Sequence, residues 1–443
     1  MKKKKIFSLL MASTLCLSAL TGCGSKPADS VQSSETQQEV SSEAPAQTNA
    51  GDSGAAGGGK QYEGVELKMW SMWTSSEPQA QVIQEAAAAF EEQTGAKVSI
   101  EWKGRDINQV LSASLEANDK FDIFEDDYQR IANVYADYTL DLTDMAKAVD
   151  YDSYSYPCLN NQVIAWTGYL NSIVEQPQVG GVFYDKDAFE KAGITAEPKT
   201  WDEFLDVCQK LKDSGVGPIA QDGAYCDFAF YHQLVRHLGE DKITELDTKG
   251  GWTGTAAETA AQEIIDLVKA GYFVDGAPDE FPSSENKIGF GLAAMIVCAN
   301  YVTAEVNGNT GTEVNWGLFN YPAVENGVEN TAAYAGANSL AITSYSENAQ
   351  AAFDFIMLLT TGEFDQKMAD TAKQIPADTR NTAPAILNGT VETLLSAEVP
   401  MTWCAGIHAN DDLKTSIKSM CVELFEGKYA TGKEFCEALD ALY

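Results

Sequence analysis

Residues 65–102, "VELKMWSMWTSSEPQAQVIQEAAAAFEEQTGAKVSIEW", change hydrophobic period twice within 38 positions, and few folds accommodate that. Val65, Leu67 and Met69 alternate as in a strand, and Ser75-Ser76-Glu77-Pro78 has the composition of a helix start. Val82, Ile83, Ala86, Ala89 and Phe90 keep helical spacing, Gly95 ends the helix, and Val98, Ile100 and Trp102 alternate again. Strand, helix and strand in this order predict a parallel sheet with helices packed on it, an α/β architecture. A third strand is expected at "FDIFEDD". Ligands of open parallel sheets lie beyond the carboxyl ends of the strands. Those ends carry Trp73-Thr74-Ser75 and Glu125-Asp126-Asp127-Tyr128.

Ahead of this region the chain reads as an exported and tethered one. Lys2–Lys5 precede an apolar run, Ile6–Leu20, and the small pair Thr21-Gly22, the pattern of a signal peptide over 1–22. The run is shorter than the roughly 20 residues that a spanning helix needs. Leu20-Thr21-Gly22-Cys23 resembles the lipobox of bacterial lipoproteins, which implies cleavage before Cys23 and a diacylglyceryl group on its sulfur. Residues 23–61 then form a segment of Ser, Gln, Glu, Ala and Gly, too polar to bury a core. As a flexible coil it would reach roughly 30 to 35 Å. Gly54–Lys60 approaches a phosphate-binding loop, but Gln61 stands where Ser or Thr is required and no apolar strand precedes it.

The remaining 380 or so residues exceed what one hydrophobic core usually supports, so two lobes are expected. A net charge of −35 speaks against nucleic acid as a partner and for solubility. Beyond Cys16 and Cys23 there are Cys158, Cys208, Cys226, Cys298, Cys404, Cys421 and Cys436, an odd number without a C-x-x-C, read as small buried apolar residues. His232 and His237 are five residues apart and His408 stands alone, so no metal site is indicated and no cofactor is expected.

"YDKDAFEKAGITAEPKTWDEFLDVCQKLKDSGVGPIA", residues 184–220, closely resembles the signature region of the extracellular solute-binding proteins of ABC importers, the carbohydrate-binding family that includes maltose-binding protein. "IGFGLAAMIVCANY", "NWGLFNYPAVENG", "GANSLAITSYSENAQAAFDFIMLLTTGEF" and "LFEGKYATGKEFCEALDAL" follow in family order, so the resemblance spans 62–443. Read without the family, Thr200 and Glu203 form a capping box, and Trp201, Phe204, Leu205, Cys208 and Leu211 form a helix stripe that suits a core.

The resemblance implies a two-lobed periplasmic-binding-protein-like fold, each lobe a mainly parallel sheet flanked by helices, closing on a hinge over one solute. Crossings are expected near 177–182, near 334–338 and at Ile375-Pro376. The first lobe is then 62–178 plus about 337–375, and the second about 179–336 plus 376–443. It also implies a monomer without enzymatic activity, held outside the cell by its lipid, that hands a small solute, a carbohydrate by preference, to ABC permease subunits.

A sugar site needs flat aromatic faces and carboxylates. The candidates are Trp73, Glu125, Asp126 and Tyr128 in the first lobe, and Asp222, Tyr225 and Tyr301 in the second, with Trp403 near the last helices. Tyr301 stands where many relatives have a stacking tryptophan. The competing readings are a binding protein for a peptide or polyamine, and a surface polysaccharide-degrading enzyme using a pair such as Glu125 and Asp127. No G-x-S-x-G or H-E-x-x-H motif supports the enzyme.

Overall fold

The computed structural model describes residues 60–387, 389–395, 400–406, 410 and 412–443. The signal segment, Cys23, the tether up to residue 59 and His408 lie outside the described residues.

The period changes at 65–102 become β1 (Glu66–Ser71), α1 (Pro78–Thr94) and β2 (Lys97–Trp102). Pro78 starts α1, and Gly95 ends it in the left-handed conformation, its N–H donating to the Glu91 carbonyl. β3 (Ile123–Asp127) completes a parallel trio in the order β2-β1-β3. Asp127 then caps α2 (Tyr128–Asn133), its side chain accepting from the Arg130 N–H.

β4 (Ile173–Asp185) is one strand of 13 residues that runs through both lobes. The second lobe continues with α3 (Trp201–Asp213), β5 (Gly217–Ile219), α4 (Cys226–Leu238), β6 (Ala293–Ala299), α5 (Tyr301–Thr310) and β7 (Trp316–Phe319). β8 (Ala333–Ile342) returns to the first lobe, followed by α6 (Gly362–Ala372) and the short β9 (Pro400–Met401). The predicted capping box of α3 is present, with Thr200 accepting the Glu203 N–H and Glu203 accepting the Thr200 N–H.

The strands line up as β2-β1-β3-β8-β4-β6-β5. β5 and β6 are parallel, like the first-lobe trio, whereas the linking strands β4 and β8 pair antiparallel to each other and to β3, β6 and β7; the short β9 joins β8 in parallel. β4 changes partners partway along. Residues 173–179 pair with β8, and residues 180–185 pair with β6 and β7. The change falls at Gly180 and Gly181, where side chains would collide. A Cβ on Gly180 would lie 2.7 Å from the Phe228 ring, and one on Gly181 would lie 2.7 Å from the Phe319 carbonyl oxygen. Asn300 ties this point down, its side-chain oxygen accepting the Val179 N–H and its own N–H donating to the Val179 carbonyl.

Each lobe has its own core. Leu67, Ile83, Ile123, Val163, Leu340 and Phe355 belong to the first; Phe204, Leu234, Ile264, Met295, Leu424 and Phe435 belong to the second. Ile375, Ala377, Leu387 and Leu394 also pack in the first core, while Met401 and Cys404 pack in the second. The last passage between cores therefore lies between Leu394 and Met401, later than the crossing expected at Ile375-Pro376. The sequence there offers turn residues but nothing that reveals which core the following apolar residues join.

The seven described cysteines are free thiols, all buried except the half-buried Cys158. His232 is buried with Nδ1 against the Phe228 carbonyl oxygen at 2.8 Å, and burial lowers it to about 3, so it stays a neutral core residue. Among the described residues, no helix is long and apolar enough to cross a membrane, and no group of three or more His, Cys, Asp or Glu is placed to hold a metal ion.

Candidate functional site

The carboxyl ends of β1, β2 and β3 present Trp73, Arg105 and Asp126-Asp127 from the first lobe. The carboxyl ends of the parallel pair β5 and β6 present Tyr225 and Tyr301 from the second. Ligands of α/β sheets bind at such ends because the loops there converge while the strands hold them rigid.

In the first lobe Trp73 is buried, and the Arg105 guanidinium lies 4.4 Å from the centre of its ring. Arg105 is held by Glu77 at 2.7 Å and by the Met72 carbonyl at 2.6 Å. Asp126 is buried against Arg130 at 2.8 Å and accepts the Asp127 N–H; burial nonetheless raises its carboxyl to about 6. Burial also raises Asp127, opposed by the charges of Arg130 and of Lys414, which comes from the second lobe.

In the second lobe the rings of Tyr225 and Tyr301 lie 5.9 Å apart, both half-buried. Glu305, one helical turn beyond Tyr301 on α5, points the same way. Burial lifts Glu305 to about 7, repulsion from Asp222 adds to the rise, and the positive charge of Arg105 in the other lobe opposes it. Glu285 is fully buried nearby and is raised to about 9 by burial and by the charges of Glu305 and Asp222. Arg105 with Glu305, and Asp127 with Lys414, are thus pairs of opposite charge carried on opposite lobes.

The sequence candidates divide by placement. Trp73, Tyr225 and Tyr301 stand in the loops after the strand ends, whereas Asp126 is buried with both oxygens held by Arg130 and one of them also by the Asp127 N–H. Glu125 likewise lies wholly buried, accepting the Ser71 hydroxyl at 2.7 Å. Tyr128 sits in the first core, its hydroxyl donating to the Ala335 carbonyl of β8. Asp222 is buried with both carboxylate oxygens occupied, by the N–H groups of Ser284 and Glu285, so it caps a turn rather than facing a ligand. Trp403 packs on Phe228 at 4.5 Å and on Tyr334 at 5.4 Å, and the Tyr334 hydroxyl meets the Gln178 side chain beside the partner change in β4.

Arg105 and Glu305 are absent from the sequence candidates. The signals for them exist: Arg105 follows the alternation of β2 directly, and Glu305 is four residues after Tyr301 on one helix face. A cavity of about 300 Å³ lies elsewhere, on the second lobe, lined by Tyr184, Phe189, Glu190, Ile194 and Glu197, away from all these loops.

Residues 73–363 match the profile of the family described as bacterial extracellular solute-binding protein. The melibiose/raffinose/stachyose-binding protein MelE of Bacillus subtilis is 29% identical over 147 residues, 33% of this chain and 33% of that protein. The sn-glycerol-3-phosphate-binding periplasmic protein UgpB of Rhizobium meliloti is 24% identical over 279 residues, 58% of this chain and 63% of that protein. Both alignments span less than two thirds of the relative. A solved sugar transporter protein from Bacillus licheniformis, in complex with stachyose, is similar in fold, with a TM-score of 0.65 at 20% identity over 86% of this chain and 99% of that one.

Proposed function

Since the chain belongs to the bacterial extracellular solute-binding protein family, we propose that it captures a sugar or oligosaccharide between its lobes and delivers it to an ABC permease for import, without chemical turnover. The observation that carries the choice of solute is the charge balance of the facing loops. Asp127 and Glu305 lie on these loops with Trp73, Tyr225 and Tyr301, and each nearby cation already has a carboxylate beside it, Arg130 at Asp126, Arg105 at Glu77 and Lys414 opposite Asp127. Carboxylates and aromatic faces suit hydroxyls and C–H groups; a phosphate ester such as the one named for UgpB would need cations free to meet it.

On this reading Cys23 carries the lipid that holds the protein on the outer face of the cell membrane, and residues 24–60 act as the tether. The protein works as a monomer, and the lobes move about the partner change in β4 and its neighbour β8, so the first lobe ends near residue 178. A tethered receptor keeps its loaded form at high effective concentration near the permease.

The test uses the exported chain carrying Cys23→Ser, which should be released from the membrane. Calorimetry against melibiose, raffinose, stachyose, chitin oligosaccharides, sn-glycerol-3-phosphate, a peptide and spermidine should give stoichiometric binding of a saccharide, a raised melting temperature and an unchanged saccharide on recovery. Binding of the phosphate ester, the peptide or the polyamine alone, or cleavage of the saccharide, would reject the proposal.

A further inference from the structure

Beneath Trp73 the first lobe buries two carboxyl groups together. Glu175 lies on β4, at the register irregularity between Val174 and Gln176, and Glu125 lies on β3, on the other side of β8. Both are buried, with 2% and 0% of their surface exposed. Ser71 occupies one oxygen of Glu125; Oε1 of Glu125, both oxygens of Glu175 and the indole N–H of Trp73 are buried without another partner. Glu125 stands opposite Leu340 on one edge of β8 and Glu175 lies between the partners of Ser339 and Asn338 on its other edge, so the two carboxyls reach one buried site, where each feels the other and the indole of Trp73, which packs in the same core.

The groups packed around the pair supply no counter-charge. β1 contributes the Ser71 hydroxyl and the loop after it contributes Trp73. α6 contributes Asp365, a further acid, held by the Asn381 side chain and the N–H groups of Ala377 and Asp378. Tyr151 contributes a hydroxyl that accepts the Val174 N–H. Among the described residues, neither glutamate makes an ion pair with Lys, Arg or His. Two carboxylates in one dry interior site repel strongly, whereas a proton held between them turns repulsion into a hydrogen bond.

We propose that Glu175 is a positioning residue for the solute site: it shares a proton with Glu125, and the resulting pair holds the indole N–H of Trp73 at the rim of the first lobe while fixing the irregularity in β4 ahead of the partner change. This rests on the reading that Trp73 lines the solute site. The indole N–H and the shared proton then serve the oxygens that Ser71 does not. Burial raises both carboxyls, Glu175 well above the ordinary range, with the charge of Glu125 adding to it, so the protonated pair persists to high pH. Removing that proton puts two negative charges into one buried site, which drives the two side chains apart and releases Trp73.

The difference in fluorescence between the full exported chain and its Trp73→Phe variant isolates one of the eight tryptophans. Followed without solute from about pH 5 to about pH 10, across the range of raised carboxyls, this signal should titrate in the parent. In Glu175→Gln the titration should vanish, because the amide donates to the Glu125 carboxylate with no shared proton. Raffinose affinity should fall across the same titration in the parent, stay level in Glu175→Gln, and be weakened at every pH in Glu175→Ala. A Trp73 signal that does not titrate, or one that titrates unchanged in Glu175→Gln, overturns the inference. If Glu175→Gln does not fold, Glu125→Gln tests the pair from β3 with the same two outcomes. If the parent ignores raffinose, the fluorescence decides the inference alone, and the wider solute panel decides the function separately.

Discussion

The guanidinium of Arg105 covers the face of Trp73 at 4.4 Å and is fixed there from behind by Glu77 and the Met72 carbonyl. The stability held in this arrangement is small. An exposed cation over an aromatic face contributes about 0.5–1 kcal/mol, and a surface ion pair contributes about 0–1 kcal/mol. The orientation it gives to the indole, and the charge it presents to Glu305, matter more to a ligand between the lobes. Arg105→Ala should therefore lower the melting temperature by only about 2–4 °C while weakening saccharide binding about tenfold, or roughly 1.4 kcal/mol. Calorimetry and a thermal melt on one sample separate the two effects; a large melting shift with unchanged affinity would assign Arg105 to structure alone.

Trp73 and Tyr301 call for different substitutions because they are buried differently. Trp73 is 5% exposed and packs in the first core, so Trp73→Ala should cost about 3–5 kcal/mol. Its loss of binding would then say little about contact. Tyr301 is half-buried beside Tyr225, at the edge of the second core. Tyr301→Phe should keep the stacking face and the melting temperature, and Tyr301→Ala should weaken saccharide binding by about 1 kcal/mol or more. Equal affinity of the Phe and Ala variants would remove Tyr301 from the site.

What the sequence made legible follows from how local each signal is. β1, α1 and β2 are set by period, a proline and a glycine within 38 residues, and the α3 capping box by two residues three apart. Glu125 stands near a strand end, the local pattern of a residue that faces a cleft. Its burial depends on Ser71 and Glu175, each about 50 residues away, which no local pattern reveals. The same holds for Asp222: the amides it accepts belong to Ser284 and Glu285, more than 60 residues on. Residues 177–182, "PQVGGV", carry the proline and glycines of a turn, yet the chain stays extended through them as β4. The two glycines serve close approach of Phe228, Tyr334 and Phe319, which is a property of the packed lobes.

That close approach makes Gly181 a sensitive position. A methyl group there meets the backbone oxygen of Phe319 on the paired strand β7, which cannot move without disturbing the ladder. At Gly180 the neighbours are the rings of Phe228 and Tyr334, at 2.7 and 2.9 Å. Overpacking of this kind costs about 1–3 kcal/mol. Gly181→Ala should lower the melting temperature and also change the radius of gyration measured by X-ray scattering with and without saccharide, because the strain falls where β4 passes between lobes. A variant that melts early but scatters like the parent would limit the effect to local packing.

The buried carboxyls predict how stability changes with pH. Asp126 and Asp222 are raised to about 6, Asp365 and Glu305 to about 7, and Glu285 to about 9, in every case first by burial. In the unfolded chain the same groups titrate near 4. Between about pH 4 and about pH 9 the folded protein therefore binds more protons than the unfolded one, and stability falls as pH rises through that window. The self-repulsion of a chain with a net charge of −35 acts in the same direction. Glu77, Asp378 and Asp440 oppose it in acid. Their hydrogen bonds outweigh burial and hold them below the usual carboxylate range, so the stability they contribute is lost as pH falls through their lowered values. The melting temperature should accordingly be higher near pH 5 than near pH 8, and Glu285→Gln should flatten the alkaline part of the profile. A melting temperature that climbs steadily from pH 5 to pH 8 would mean that these carboxyls are ionised and paired in the folded protein, contrary to the burial described above.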